Sequence, residues 1–377
     1  MRRGAGAALA VGLALLAAAC TTAPRPAAPA PLPAPAPVPV PVPAPGPGPV
    51  PSAGLSPAVL PGWDDEDHLA AFEAWAEGCG VARDPAAQAQ CERARQLRRT
   101  SKPVTPALAR AFLESGFLAV PAATADGGPG LLTAYFAPEY AARRTPDAEF
   151  DMPVLAPPAG WRRGDVLPER AEIEAAPGAV SGAPPLAWMR AEDLFFLQIQ
   201  GSGYLTFADG SKARAAYAAD NGRPFTGIAR PMAERGLLPP NGTSGEAIRA
   251  WLAAHRGPEA RAVMALNPRY IFFRLDPDDG GHPAGAAGIP LMARRSIAVD
   301  PGHWRYGDLA WIEADGGNLI GARGSYRGLA MALDTGSAIR GPVRADLYMG
   351  RGAAAGEEAG AVRHPLRMWR LVPRPAG

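Results

Sequence analysis

The chain has 377 residues, with 38 lysines and arginines against 36 aspartates and glutamates, a formal net charge of +2. Because this balance is close to zero and no dense basic run is present, nucleic-acid binding is not expected. Three cysteines and five scattered histidines form no H-E-x-x-H or C-x-x-C pattern, so we expect neither a metal site nor a cofactor.

The N-terminus has the pattern of an export signal. Two arginines precede the apolar run Ala5–Ala19, which is too short to span a membrane as a mature helix, so residues 1–19 are predicted to be a signal peptide. Residues 16–20 resemble a bacterial lipobox, which predicts lipidation of Cys20; the alternative is an ordinary cleaved signal followed by a free cysteine. Thr21, in place of aspartate, is typical of outer-membrane lipoproteins. We therefore expect an outer membrane lipoprotein that faces the periplasm.

A proline-rich spacer follows the cysteine. From Pro24 to Pro51 half of the residues are proline, alternating mostly with alanine, valine and glycine. Such a segment cannot build a packed core and is expected to form an extended polyproline II linker, roughly 87 Å long at about 3.1 Å per residue. Residues 20–56 are therefore assigned to the lipidated cysteine and a linker that lets an anchored protein act away from its membrane.

The next segment is predicted to be helical. Apolar residues recur at helical spacing from Leu69 to Ala76, behind the acidic start Asp64–Asp67. Thr105–Pro106 has the cap and first-turn proline of a second helix. Cys79 and Cys91 lie in this part and, in an exported chain, form either a short local disulfide or two separate buried thiols.

From residue 131 onward, short apolar runs alternate with turns rich in glycine and proline. The predicted strands are Leu131–Phe136, Leu194–Ile199, Tyr270–Leu275, Arg295–Val299 and Leu309–Glu313. Thr243–Glu246 has the pattern of a capping box and predicts a helix through Leu252, and Pro258–Leu266 is predicted to be another. The fold class is therefore predicted to be mainly β, with an N-terminal helical part and a barrel-like body.

A polar motif lies at the end of the second predicted strand. Gln198 and Gln200 are two residues apart and share one face of that strand, followed by Gly201 and Ser202. Glutamines on a cleft face suit sugar hydroxyls and N-acetyl groups, whereas the alternative is a simple tight turn. Tyr135, on the first predicted strand, is either a cleft aromatic or a core residue.

Three aspartates interrupt the apolar C-terminal region. Asp300, Asp334 and Asp346 each end or punctuate a strand near glycines, where a lone aspartate is usually a turn former. Burying an ionised carboxylate is costly, so three such residues in one region suggest chemistry. A carboxyl whose pKa is raised by burial or by a neighbouring like charge can protonate a glycosidic oxygen. Since no G-x-S-x-G or S-x-x-K motif is present, carboxylates are the candidate catalytic groups.

These residues resemble the membrane-bound lytic murein transglycosylase A family, whose C-terminal module is called the 3D domain after its three aspartates. The matching stretches are the strand around Tyr135, Gln198–Tyr204, Asn267–Tyr270, Pro290–Asp300, Asp334–Ile339 and Asp346–Tyr348. The resemblance covers roughly residues 115–373. The spacing from Asp334 to Asp346 is one residue longer than the family pattern, and the difference falls in the loop 341–345.

The resemblance implies a double-psi β-barrel with an inserted second β-rich domain and a glycan-binding groove between them. On this basis residues 57–140 are the helical part and the first portion of the barrel domain. Residues 141–270 are the inserted substrate-binding domain, and residues 271–377 are the C-terminal portion of the barrel, the 3D domain.

The resemblance also implies a function: a lytic exotransglycosylase that cleaves the β-1,4 bond between N-acetylmuramic acid and N-acetylglucosamine and leaves 1,6-anhydromuramoyl ends. Asp346 is then the single catalytic acid and base, supported by Asp334. The expected glycan contacts are Tyr135, Gln198, Gln200, Gly201, Ser202, Asp300 and Ala338. The implied partners are peptidoglycan strands and, through the lipid anchor, the outer membrane. A muramidase and a non-catalytic wall-binding lipoprotein are the alternatives.

Overall fold

The computed structural model describes residues 54–374, except 177–179, 181, 240 and 241. The predicted signal peptide, Cys20 and the proline-rich linker up to residue 53 lie outside the described residues. Within the described part of the chain, no helix is both long and apolar enough to cross a lipid bilayer.

The described chain begins with a helical part. Its helices are α1 (His68–Gly78), α2 (Pro85–Thr100) and α3 (Pro106–Gly116), with 3-10 turns at Pro57–Val59, Trp63–Asp65 and Cys79–Val81. Each helix has an N-cap residue whose side chain accepts a hydrogen bond from the backbone N–H three residues later. The N-caps are Asp67, Asp84 and Thr105. The predictions of α1 and α3 are confirmed, whereas α2, whose exposed residues are mostly polar or charged, was not predicted.

Cys79 and Cys91 form a disulfide that ties the end of α1 to α2, with their Cα atoms 5.6 Å apart. Both cysteines are buried. Of the two alternatives left open by the sequence, the structure has the disulfide.

In the described part of the chain, the strands follow in chain order and are interrupted by helices. The strands are β1 (Phe117–Ala122), β2 (Gly130–Ala137), β3 (Glu139–Ala142), β4 (Met152–Leu155), β5 (Pro185–Met189), β6 (Gly203–Phe207), β7 (Lys212–Asp220), β8 (Ile271–Pro277), β9 (Ser296–Ala298), β10 (Leu309–Asp315), β11 (Ser325–Asp334), β12 (Arg344–Arg351) and β13 (Arg363–Pro373). The helices are α4 (Arg170–Ala175), α5 (Ala191–Gln200), α6 (Ala229–Glu234), α7 (Gly245–Ala254), α8 (Pro258–Met264) and α9 (Ala353–Gly360).

Six strands close into a barrel in the order β13-β10-β11-β9-β12-β2, with β2 pairing back to β13 and β1 added at the edge of β13. The β11–β9 and β12–β2 pairs are parallel and the other barrel pairs are antiparallel. Branched and aliphatic side chains such as Leu132, Ile297 and Leu347 fill the interior. The predicted class, a mainly β fold with a barrel and N-terminal helices, is confirmed.

The chain leaves the barrel after β2 and re-enters it at β9. Between them lies an insert, built from the four-stranded sheet β3-β6-β7-β8, the β4–β5 pair and helices α4 to α8. Its own core includes Phe195, Leu205 and Phe273. Strand β8, which the predicted boundary at residue 271 assigns to the barrel portion, pairs with β7 and is part of the insert's sheet.

The predicted strand Leu194–Ile199 is wrong, because these residues lie in helix α5. The run is apolar at nearly every position and is buried from Leu194 to Gln198, so its periodicity does not distinguish a buried strand from a buried helix. Gly201 ends the helix in the left-handed conformation, with φ of 80°, which glycine adopts without strain. The shared strand face of Gln198 and Gln200 is therefore wrong as well.

Helix α7 is present as predicted, but its cap is one residue later than the capping-box pattern indicates. The Ser244 hydroxyl, and not that of Thr243, accepts a hydrogen bond from the Ala247 N–H over 3.2 Å. Helix α8 and strands β2, β8, β9 and β10 confirm the remaining predicted elements to within a few residues.

Candidate active site

The site is built on two parallel neighbours, β2 and β12. Their register places Asp346 opposite Thr133 and Tyr348 opposite Tyr135. Since side chains alternate across a strand, Thr133 and Tyr135 share one face of β2, as Asp346 and Tyr348 share one face of β12. The rings of Tyr135 and Tyr348 pack with their centroids 5.3 Å apart.

The Asp346 side chain is half-buried, so part of its surface remains accessible. Its Oδ1 accepts a hydrogen bond from the Thr133 hydroxyl. Burial raises the pKa of Asp346, the negative charge of Asp334 raises it further, and the Arg344 charge and the Thr133 hydrogen bond oppose the rise. These are the properties expected of a carboxyl that holds its proton.

Asp334 ends β11 and is held by three donors. Its Oδ2 accepts from the Tyr135 hydroxyl over 2.7 Å, and its Oδ1 accepts from the N–H groups of Ala286 and Thr335, each over 2.9 Å. Burial raises the pKa of Asp334, and these three hydrogen bonds oppose the rise. Three of about four lone-pair positions of this carboxylate are therefore occupied.

The two aspartates are chemically unequal. Asp334 accepts three hydrogen bonds and is fixed as an acceptor, whereas Asp346 receives one, from Thr133. Tyr135 joins the pair, because burial and the adjacent Asp334 carboxylate hold the pKa of its phenol far above the usual value, so that it stays a donor. The arrangement favours a proton-carrying Asp346 beside an immobilised, acceptor-only Asp334.

Asp300 supports the loop before β12. Its Oδ2 accepts from the Gly341 N–H over 2.7 Å and its Oδ1 from the Gly302 N–H over 3.0 Å. Burial raises the pKa of Asp300, but the hydrogen bonds from Gly341 and Gly302 outweigh this effect, and its pKa lies below the usual value. Asp300 thus anchors the start of the loop 341–345.

The structure brings only some of the other predicted contacts toward the barrel strands. Gln200 is half-buried and its Oε1 accepts from the Phe136 N–H over 3.1 Å, which links α5 to β2. Gln198 is buried and its Nε2 donates to the Ile271 carbonyl over 3.2 Å, so it belongs to the core of the insert. Ser202 is half-buried beyond the end of α5.

Gly201 and Ala338 also differ in their surroundings. Gly201 forms the turn that ends α5, and the space beside its Cα is open. Ala338 is exposed in the turn that follows β11. Gln198 is thus the predicted glycan contact whose side chain is packed away from solvent.

Sequence reasoning missed Thr133, Arg344 and the Ala286 N–H. Thr133 lies two residues before Tyr135 and Arg344 two residues before Asp346, so strand alternation around those two residues was a usable signal for both. Ala286 reaches Asp334 through the connection between β8 and β9, for which the local sequence gives no signal.

Comparisons with known proteins agree with this architecture. Residues 131–274 match the family model described as the MltA specific insert domain, and residues 295–372 match that of the 3D domain. Membrane-bound lytic murein transglycosylase A of Escherichia coli strain K12 is 36% identical over 250 residues. This match covers 64% of the chain and 66% of the relative, slightly less than two thirds of that protein's length.

Solved structures extend the likeness. The membrane-bound lytic murein transglycosylase of Agrobacterium tumefaciens is 31% identical with a TM-score of 0.71, covering 85% of this chain and 97% of that one. Escherichia coli MltA with bound chitohexaose is 30% identical with a TM-score of 0.66, covering 81% of this chain and 90% of that one. With both family models matched and these structures nearly fully covered, the chain belongs to the membrane-bound lytic murein transglycosylase A family.

Proposed function

We propose that this chain is a lytic transglycosylase that cleaves the β-1,4 bond between N-acetylmuramic acid and N-acetylglucosamine in peptidoglycan. The observation that carries the proposal is the unequal pair of aspartates: Asp346 has one hydrogen-bond partner and a raised pKa, while three donors occupy Asp334. The family relatives named as lytic murein transglycosylases, and the bound chitohexaose in one of them, support a glycan substrate.

In the first step, protonated Asp346 gives its proton to the glycosidic oxygen while the bond from that oxygen to C1 of the muramoyl residue breaks. Positive charge develops at C1 in an oxocarbenium-like transition state. General acid catalysis of this kind contributes about 10²- to 10⁴-fold to the rate. The nearby carboxylate of Asp334 supplies negative charge to the site and stays bound to its donors.

In the second step, the Asp346 carboxylate takes the proton from the muramoyl O6 hydroxyl as O6 bonds to C1. The 1,6-anhydro ring closes, Asp346 is protonated again, and no water is consumed. One acid and base suffices because the nucleophile comes from the substrate. A hydrolase with two catalytic carboxylates needs a second one free to act as base or nucleophile. The three donors on Asp334 argue against that role and so disfavour a muramidase.

We further propose that the chain acts at a membrane surface, as the term membrane-bound in the names of its relatives suggests. The predicted lipidation of Cys20 and the polyproline linker supply the tether in this proposal, and the outer membrane is its site. Labelling of the full chain with a fatty-acid analogue, with Cys20→Ser as the control, tests the anchor.

The experiment that tests the activity is product analysis by mass spectrometry after the purified full chain digests intact sacculi. We expect muropeptides with anhydromuramoyl ends, each lighter by one water than the product of a muramidase. Asp346→Asn should release no soluble muropeptide while still binding sacculi. Reducing ends from the wild type would make the enzyme a hydrolase. Binding without any release by the wild type would make it a wall-binding protein.

A further inference from the structure

A half-buried arginine approaches the candidate acid through a hydroxyl. Arg344 lies two residues before Asp346 on β12, on the same face of the strand. Its Nη2 donates to Thr133 Oγ1 over 2.9 Å, and the Thr133 hydroxyl donates to Asp346 Oδ1. Its Nη1 lies 2.5 Å from the Ala345 carbonyl and 3.4 Å from the Leu131 carbonyl, which holds the guanidinium in place.

This chain of hydrogen bonds has a fixed direction. A guanidinium carries only donors, so Thr133 Oγ1 must accept from Arg344 and has its single proton left for Asp346. Oδ1 of Asp346 is thereby an acceptor. Within the described part of the chain, Oδ2 of Asp346 receives no hydrogen bond, so it is the oxygen left for a proton.

We propose that Arg344 is a positioning residue that fixes the Thr133 hydroxyl as a donor and so keeps the transferable proton of Asp346 on Oδ2. The inference rests on the proposed function, because it concerns which oxygen of the acid meets the glycosidic bond. With Arg344 replaced by a neutral side chain, the Thr133 hydroxyl can turn and accept a proton from Oδ1. The acid proton is then shared between two oxygens, and only one of them is correctly placed.

Arg344 also acts on Asp346 through its charge. The titratable and charged groups that face Asp346 are Arg344 on its own strand, Asp334 on β11 and Tyr135 on β2; the paired segment of β9 carries none. Asp334 raises the pKa of Asp346 and Arg344 lowers it. Activity needs protonated Asp346, so it falls as the pH rises through that pKa. Loss of the arginine charge therefore moves the alkaline limit of activity to higher pH.

The test combines substitution of both partners with a pH profile of sacculus digestion. Arg344→Gln and Thr133→Val should each lower kcat about tenfold or more, which is the rate effect expected from losing a hydrogen bond to a charged group. Each should also move the alkaline limit of activity to higher pH. The double variant should be no slower than the slower single variant, because both break one chain of hydrogen bonds. Thr133→Ser restores the hydroxyl and should recover most of the rate.

Two further variants separate positioning from folding. Arg344→Lys keeps the charge and should leave the alkaline limit in place while lowering kcat, because an ammonium lacks the planar fork of the guanidinium. Arg99→Gln, on the exposed side of α2, is the control for loss of an arginine and should change neither property.

Two results would overturn the proposal. One is a double variant whose loss of kcat is the product of the two single losses. The other is an Arg344→Gln variant that has a lower melting temperature but an unchanged alkaline limit of activity. A wild type that forms no anhydro ends instead contradicts the proposed function.

Discussion

Asp334 and Asp346 flank the same residue of the barrel: each is in register with Ala298, one from β11 and the other from β12. Neighbouring strands lie about 4.8 Å apart, so the backbones of the two aspartates are held about 10 Å from each other. This separation places the charge of Asp334 near Asp346 while each carboxyl keeps its own hydrogen-bond partners. The barrel thus gives two aspartates different environments. Asp334 is a carboxylate held by three hydrogen-bond donors, and Asp346 is an acid with a raised pKa and one donor.

Replacing the acid should stabilise the fold at neutral pH. Burial raises the pKa of Asp346 above its ordinary value of 3.8, so the stability linked to its proton is fully present below that value and is lost as the pH rises through the folded pKa. Asp346→Asn has no such titration and keeps an oxygen for the Thr133 hydroxyl. We expect its melting temperature, relative to wild type, to be higher at pH 7 than at pH 4.

Thermal denaturation at the two pH values measures this difference directly. Asp65→Asn, which makes the same change at an exposed aspartate, serves as the matched control. A variant-to-wild-type difference that is the same at both pH values would contradict the prediction.

Removing the charge of Asp334 should move the pH profile in the opposite direction to Arg344→Gln. Because the Asp334 charge raises the pKa of Asp346, Asp334→Asn lowers that pKa, and the alkaline limit of activity shifts to lower pH. The amide also presents N–H protons to groups that are themselves donors, which should cost about 1–3 kcal/mol of stability. Initial rates of muropeptide release across the active pH range check the shift, and an upward or absent shift would be the contrary result.

The sequence predicts those parts of the fold that have a clear local pattern. Helix α3 has its threonine cap and proline, and strands β2 and β10 have short apolar runs between turns. Asp334 and Asp346 stand out as charged residues in apolar surroundings. Helix α5 could not be recognised in the same way, because an apolar run without periodicity fits a buried helix and a buried strand equally well.

The geometry of the site depends on pairing between distant parts of the chain. Thr133 meets Asp346 only because β2 pairs in parallel with β12, more than 200 residues later in the chain. The Ala286 N–H meets Asp334 through an irregular connection with no periodic signal. Residue spacing can nominate members of one strand face, but the register between distant strands decides which faces meet.

The disulfide between Cys79 and Cys91 should stabilise the helical part without taking part in catalysis. The two cysteines are 12 residues apart in the sequence. For a loop of that length, chain entropy predicts a contribution of about 3 kcal/mol to the free energy of unfolding. The double variant Cys79→Ala/Cys91→Ala should therefore melt at a lower temperature yet digest sacculi at the wild-type rate well below its melting point. Reductant should destabilise the wild type and leave the double variant unchanged, and equal melting temperatures would show that the bond contributes nothing.

Arg351, at the end of β12, connects the barrel to both ends of the insert. Its guanidinium pairs with Asp278 just after β8, over 2.9 and 2.6 Å, and with Glu139 at the start of β3. It also lies over the ring of Tyr204 on β6, 3.4 Å from the centroid. Because both chain crossings between barrel and insert meet at this one side chain, Arg351 should set the orientation of the insert relative to the barrel.

Arg351→Ala should loosen that orientation and cost about 1.5–3 kcal/mol, the range for hydrogen bonds to charged groups. The family resemblance implies a glycan-binding groove between barrel and insert. On that basis we expect KM to rise several-fold while kcat changes little, because Asp346 and its partners stay on the barrel strands. Amide hydrogen exchange should increase at residues 138–142 and 278–281. Arg274→Ala, which removes an exposed arginine paired with Asp276, is the matched control. A fall in kcat with unchanged KM would show instead that Arg351 supports the catalytic strand itself.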